Sequence, residues 1–99
     1  MEIIIKKNTN IDKKFDAVID GKKKISFGQA GASDFTKHKD KDRKDRYIDR
    51  HRKNEKWGKD GVETAGFYSR WITWHKPTIE ASVKDLNQKY KNIKFKYKK

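Results

Sequence analysis

"KKFDAVIDGKKKISFG", residues 13–28, decides the fold. Phe15, Ala17 and Ile19 alternate on one side of an extended run, with Val18 on the other. A second run, "KKKISFG", follows after Asp20-Gly21. Asp and Gly both accept positive φ, which a tight turn between antiparallel strands demands. The pattern predicts a hairpin with strands over residues 13–20 and 22–27. Upstream, "EIIIKK" is a β-branched run and predicts a third strand over residues 2–7.

Downstream, "GQAGASD" (28–34) reads as a loop whose Ser33 or Asp34 caps a following helix. That helix runs from Phe35 or Lys39 to Lys56 and contains "KDKDRKDRYIDRHRKNEKW" (39–57). Asp40–Lys44, Asp42–Arg46, Asp49–Lys53 and Asp49–Arg52 stand at helical spacing with the acid first, the better order for ion pairs. Tyr47, Ile48 and His51 make a thin apolar stripe, so the helix is expected to be ordered but largely solvated. "WGKDG" (57–61) ends it, with Gly58 as the expected C-cap.

Phe67, Tyr68, Trp71, Ile72 and Trp74 then give a broad apolar helical face; Trp71 and Trp74 with Phe67 read as core, and the alternative is a stacking platform for single-stranded bases. Pro77 stops this helix and opens the next at its first position. In that next helix Ile79, Val83, Leu86 and Tyr90 recur at amphipathic spacing. The chain closes with Ile93, Phe95 and Tyr97 alternating against Lys94, Lys96 and Lys98, a half-buried strand beside the N-terminal sheet. The expected fold class is α+β: a small antiparallel sheet, the N-terminal hairpin plus the C-terminal strand, packed on two or three helices. Residues 1–99 read as a single compact basic domain.

Composition sets the functional bounds. Of the 99 residues 41% are charged and 32% hydrophobic, so the core is small; aromatics, at 12%, must carry much of it. A domain this size buries only about 60–65% of its unfolded surface, which leaves little stability in reserve. The net charge of +13 is spread along the chain, +3 over residues 1–38, +4 over 39–57 and +6 over 58–99. No separate basic tail exists; the folded body itself is basic. Such a charge favours an acidic partner and exceeds what solubility needs. With no cysteine, disulfides and thiolate chemistry are excluded. No apolar run reaches the roughly 18 residues of a membrane span, and three consecutive Ile are too few for a signal-peptide core. The expectation is a soluble intracellular product.

No catalytic constellation stands out. His38, His51 and His75 are far apart and form no metal-ligand motif. Asp40, Asp42, Asp45 and Asp49 are interleaved with cations that neutralise them. Neither a metal, nor a cofactor, nor an enzymatic activity is expected. The residues placed first in line for polyanion contact are Lys22, Lys23, Lys24, Arg43, Arg46, Arg50, Arg52 and Lys53. Trp57, alone in a polar context, is the aromatic expected to be partly exposed, for base stacking or an interface. Contact through phosphates is salt-dependent and reads little sequence.

"FGQAGASDFTKHKD" (27–40), "RKDRYIDRH" (43–51) and "WGKDGVETAGFYSRWITWHKPT" (57–78) together resemble a family of small basic proteins encoded by large eukaryote-infecting DNA viruses, of the phycodnavirus and mimivirus kind. The resemblance spans residues 25–86 and carries over no catalytic residue. It implies a viral setting, in the virion or in the cytoplasm or viral factory of the infected cell. On this reading the protein is a non-enzymatic structural component of the particle, in contact with the genome or with acidic capsid components. The alternative is a non-specific DNA- or RNA-binding accessory protein.

Overall fold

The computed structural model describes residues 1–8, 12–31, 33–58 and 61–98. Ala32 of the expected loop, and Lys59 and Asp60 of the "WGKDG" segment, lie outside them. The described residues form an α+β fold. Strands β1 (Glu2–Lys7), β2 (Lys13–Ile19), β3 (Lys23–Gln29) and β4 (Lys94–Lys98) make one sheet in the order β3-β2-β1-β4. Between β3 and β4 come α1 (Phe35–His38), α2 (Lys41–His51), α3 (Ala65–Tyr68), which continues into a π-helical turn over Ser69–Thr73, and α4 (Ile79–Lys89).

The hairpin forms as its sequence demands. Asp20 (φ 52°) and Gly21 (φ 69°) both take positive φ, and the Lys22 amide donates to the Ile19 carbonyl at 3.0 Å. Ile3, Ile5, Ala17, Ile19, Phe27 and Phe95 point to one buried face of the sheet. Ile4 and Val18 point to the other and stay half-buried, with Lys24 and Lys96 paired beside them across the strands. Phe67, Tyr68 and Ile72 from α3 and its π turn, and Ile79, Val83 and Leu86 from α4, complete one core against the buried face.

The sheet is mixed, where an antiparallel one was expected. β4 lies beside β1 but runs parallel to it, pairing Ile3 with Phe95. Alternation fixes which side chains face the core; it does not fix which way a strand runs when no hairpin joins it to its neighbour. Here α4, packed on the sheet, delivers the chain to the β1 edge. Asn87 of α4 then reads that edge: its amide donates to the Phe95 carbonyl (2.9 Å) and its oxygen accepts from the Phe95 N–H (2.7 Å). Both backbone groups are thereby withdrawn from edge pairing with another chain.

The expected long helix is two. Asp34 caps α1 by accepting from the Thr36 N–H. Lys39 turns left-handed (φ 54°), and Asp40 caps α2 by accepting from the Asp42 and Arg43 N–H groups. The imidazole of His38 accepts the Asp40 N–H at Nδ1 (2.9 Å), which holds the break. At its far end α2 stops at His51 with Arg52 as C-cap, not at Gly58. The polar run after His51 has no apolar residue to hold another turn on the body.

The aromatic helix also departs from expectation. At residues 69–73 it widens to i→i+5 bonding, with the Trp74 N–H donating to the Ser69 carbonyl (3.0 Å). The added residue per turn shifts the inward face to Phe67, Tyr68, Ile72 and Thr73. Trp71 and Trp74 are half-buried at the rim rather than in the core. α4 is as expected except at its start. Thr78, not Pro77, closes it by accepting from the Ala81 N–H.

Between π turn and α4, His75 Nε2 sits 2.6 Å from an Asp85 carboxylate oxygen, and its buried Nδ1 has no partner among the described residues. Burial pushes the imidazole below the ordinary histidine value; the Asp85 bond opposes this, and Arg70 and Lys76 add to it. Burial prevails because a second proton at Nδ1 has no acceptor and because the Asp85 side chain is partly solvated, 37% exposed. Below about pH 6.5 the unfolded chain therefore binds a proton that the native state refuses. The expected outcome is a melting temperature that is maximal above that pH and drops as pH falls toward 5. In His75→Gln the drop is shallower, the remainder coming from His38, which burial lowers likewise. Thermal melts from pH 8 to 5 on both proteins check this.

Candidate functional site

The site grows from α2. One turn of helix is 3.6 residues, so Arg43, Arg46 and Arg50, at i, i+3 and i+7, fall on one face over roughly 10 Å. All three are exposed. Among the described residues none of them lies within 4.0 Å of a carboxylate. The acid-first pairs expected along this helix do not form either. Asp40 spends its carboxylate on the helix cap, and Asp42 and Asp49 stay in solvent.

What holds α2 in place is aromatic. Tyr47, only 7% exposed, stacks on Trp74 with ring centroids 4.3 Å apart and planes 2° from parallel. His51 lies 4.5 Å and Trp57 6.4 Å from the same ring. The Lys44 ammonium donates to the His75 carbonyl (2.7 Å) and sits 4.9 Å from the Phe35 ring centroid. Tyr47→Ala is therefore expected to cost about 2 kcal/mol or more. Asp49→Ala, which breaks no pair, is expected to stay within about 0.5 kcal/mol. Denaturant midpoints of the two variants are the check.

Two adjoining recesses open along this seam. Ser33, Arg43, Arg46, Tyr47, Arg50 and Trp74 line one of about 300 Å³. The other, of about 390 Å³, lies between α2, the end of β3 and α3; it shares Ser33, Tyr47, Arg50 and Trp74 and adds Lys13, Gly28, Gln29, Ser69 and Thr73 among its walls. Gly28 has a reason to be glycine here. It takes φ +76°, a backbone conformation that L side chains rarely adopt, beside the Lys14 stem, whose ammonium makes a 2.6 Å ion pair with Asp34. Three guanidiniums, one serine and one tyrosine around a small recess suit an anion with several oxygens, since Arg presents forked donors to such groups.

The other cations expected to act are elsewhere. Lys22 lies in the hairpin turn and Lys23 and Lys24 begin β3, so Lys24 and Gly28 are about 13 Å apart along the strand. Lys23 pairs with Glu63 (3.4 Å), both side chains exposed. Arg52 follows Arg43 by two and a half turns and leaves α2 on the opposite side; Lys53 is in the turn beyond. Trp57 is half-buried, in line with expectation, but its ring faces Tyr47 and the Arg70 guanidinium (5.6 Å), and its Nε1 donates to Glu55 (3.2 Å). Trp71 is engaged too: Lys89 and Arg70 lie 3.8 and 4.4 Å from its ring centroid, and its Nε1 donates to the Trp57 carbonyl (2.7 Å).

Sequence reasoning missed Ser33, Lys13 and Gln29 as site walls, and offered Trp74 only as the alternative to its core reading. Only Ser33 carried a local signal, its place just before a helix. The others join the site through the docking of α2 on the π turn, which no local pattern announces. Among the described residues no helix is long and apolar enough to cross a membrane. No curated protein and no solved structure matches the chain. Residues 3–51, which run from β1 through α2 and include Arg43, Arg46 and Arg50, match the family model described as "Family of unknown function (DUF5754)".

Proposed function

We propose that this protein is a non-enzymatic binder of nucleic-acid phosphates. The observation that carries the reading is the arginine face of α2: three exposed guanidiniums, without ion-pair partners among the described residues, around one recess. The net charge of +13 supports it, because a basic body raises the local concentration of any polyanion. A phosphate-reading surface of this kind fixes position and carries no base sequence. The setting we propose is the particle of a large DNA virus, where such a protein neutralises packaged genome. That part rests on the resemblance of residues 25–86 alone. A free accessory protein in the infected cell would need the same surface.

The test is binding to two duplexes of unrelated sequence, with polyglutamate as a protein-like competitor. Similar affinity for both duplexes and weak displacement by polyglutamate are expected. A strong preference for one duplex overturns backbone contact. Polyglutamate that displaces DNA at equal charge makes an acidic structural protein the better partner.

A further inference from the structure

The two recesses differ in chemistry, and the difference points to a more specific ligand. The smaller is cationic, with Arg43, Arg46 and Arg50 at its wall. The larger is walled by an aromatic ring, Phe27, by two glycines, Gly28 and Gly66, and by the polar groups of Gln29, Ser69 and Thr73. Its volume of about 390 Å³ lies in the range of small-molecule sites. Its charge is more mixed than that of the smaller recess: Lys14 is bound to Asp34 and Glu55 faces His51 at 3.8 Å, while Lys13 and Arg50 keep its wall positive. The ridge between the two is Tyr47, more than nine-tenths buried. Tyr47 borders both recesses, as do Ser33, Arg50 and Trp74. The wall of the larger recess is also where the helix widens into a π turn, and such turns gather at functional sites.

We propose that the adjoining recesses form one site for a nucleotide unit of a single strand, its phosphate against Arg43, Arg46 and Arg50 and its base in the recess between β3 and α3. The inference rests on the phosphate-binding reading above and narrows it. A phosphate and the base of the same nucleotide lie close together, as the two recesses do. In a duplex the bases are stacked and paired inside, so only the arginine recess is served. An unpaired base can splay outward, enter the second recess and offer its edge to Gln29 and Ser69.

The experiment compares three probes on the full chain at one salt concentration: an oligothymidylate, an abasic strand of the same length, and a duplex of that length. The expected result is an affinity for oligothymidylate about tenfold above that for the abasic strand, the size of one well-held base. Ala65→Phe fills the base recess from an exposed position on its wall. It is expected to bring oligothymidylate down to the abasic level and to leave duplex binding unchanged. Equal affinity of the wild-type chain for oligothymidylate and abasic strand overturns the base site while leaving phosphate binding intact. Failure to bind any of the three overturns both. The abasic comparison needs no variant, so it stands even if Ala65→Phe does not fold.

Discussion

Phe67→Ala is expected to cost about 3–5 kcal/mol, the range for a fully buried aromatic truncated to alanine. Phe67 is 0% exposed; its ring meets Tyr68 edge-on at 5.1 Å and Tyr90 at 6.1 Å. It is one of the side chains through which α3 closes over the sheet. A domain of this length has roughly 5–15 kcal/mol in total, and a core this small places it toward the low end. The loss corresponds to a fall in melting temperature on the order of 20 °C. Trp71→Ala is expected to cost less than half as much, despite the larger ring. Trp71 is half-buried, and what it gives up is packing at the edge of the core, an edge contact with His75, a hydrogen bond to the Trp57 carbonyl and two cation contacts. Circular dichroism melts of the two variants decide. If Trp71→Ala costs as much as Phe67→Ala, the π turn does not carry Trp71 to the rim, and the assignment of the inward face is wrong.

That pair of residues also marks where the sequence stops being legible. A period of 3.6 places Phe67, Trp71 and Trp74 on one face. The π turn adds a residue at Ser69–Thr73 and rotates both tryptophans outward, and nothing in "SRWIT" signals the insertion. The hairpin was legible because Asp20 and Gly21 tolerate a backbone that most residues refuse. α4 was legible because Ile79, Val83 and Leu86 keep strict spacing over two turns. β4 was half legible: its inward side chains follow from alternation, its direction only from how α4 docks. α2 was misjudged in what holds it. Its charges stood at ion-pair spacing, but each exposed pair is worth only a few tenths of a kcal/mol, against which side-chain entropy and a helix cap compete successfully. The anchor is Tyr47 on Trp74, a contact across 27 residues that neither residue announces.

The same holds for the site. That Arg43, Arg46 and Arg50 share a face is helical arithmetic, and the same arithmetic removes Arg52. Separating Lys22–Lys24 from them needed the direction of β3 relative to α2, which is tertiary information. Under the proposed function the arginine face therefore outranks the lysine turn as the main contact, and the ranking has a direct consequence in salt.

The decisive measurement is the salt dependence of duplex DNA binding for three proteins: wild type, the Arg43→Gln/Arg46→Gln/Arg50→Gln triple variant, and the Lys22→Gln/Lys23→Gln/Lys24→Gln triple variant. Each phosphate neutralised on B-DNA contributes roughly 0.9 to the slope of log affinity against log salt. The arginine variant is expected to lose about 2–3 from the slope and at least tenfold in affinity at moderate salt, with its melting temperature unchanged because all three side chains are exposed. The lysine variant, equal in charge removed, is expected to change the slope by less than about 1. Equal losses from the two variants, or an arginine variant that keeps the wild-type slope, would contradict the assignment of the α2 face as the phosphate-binding surface.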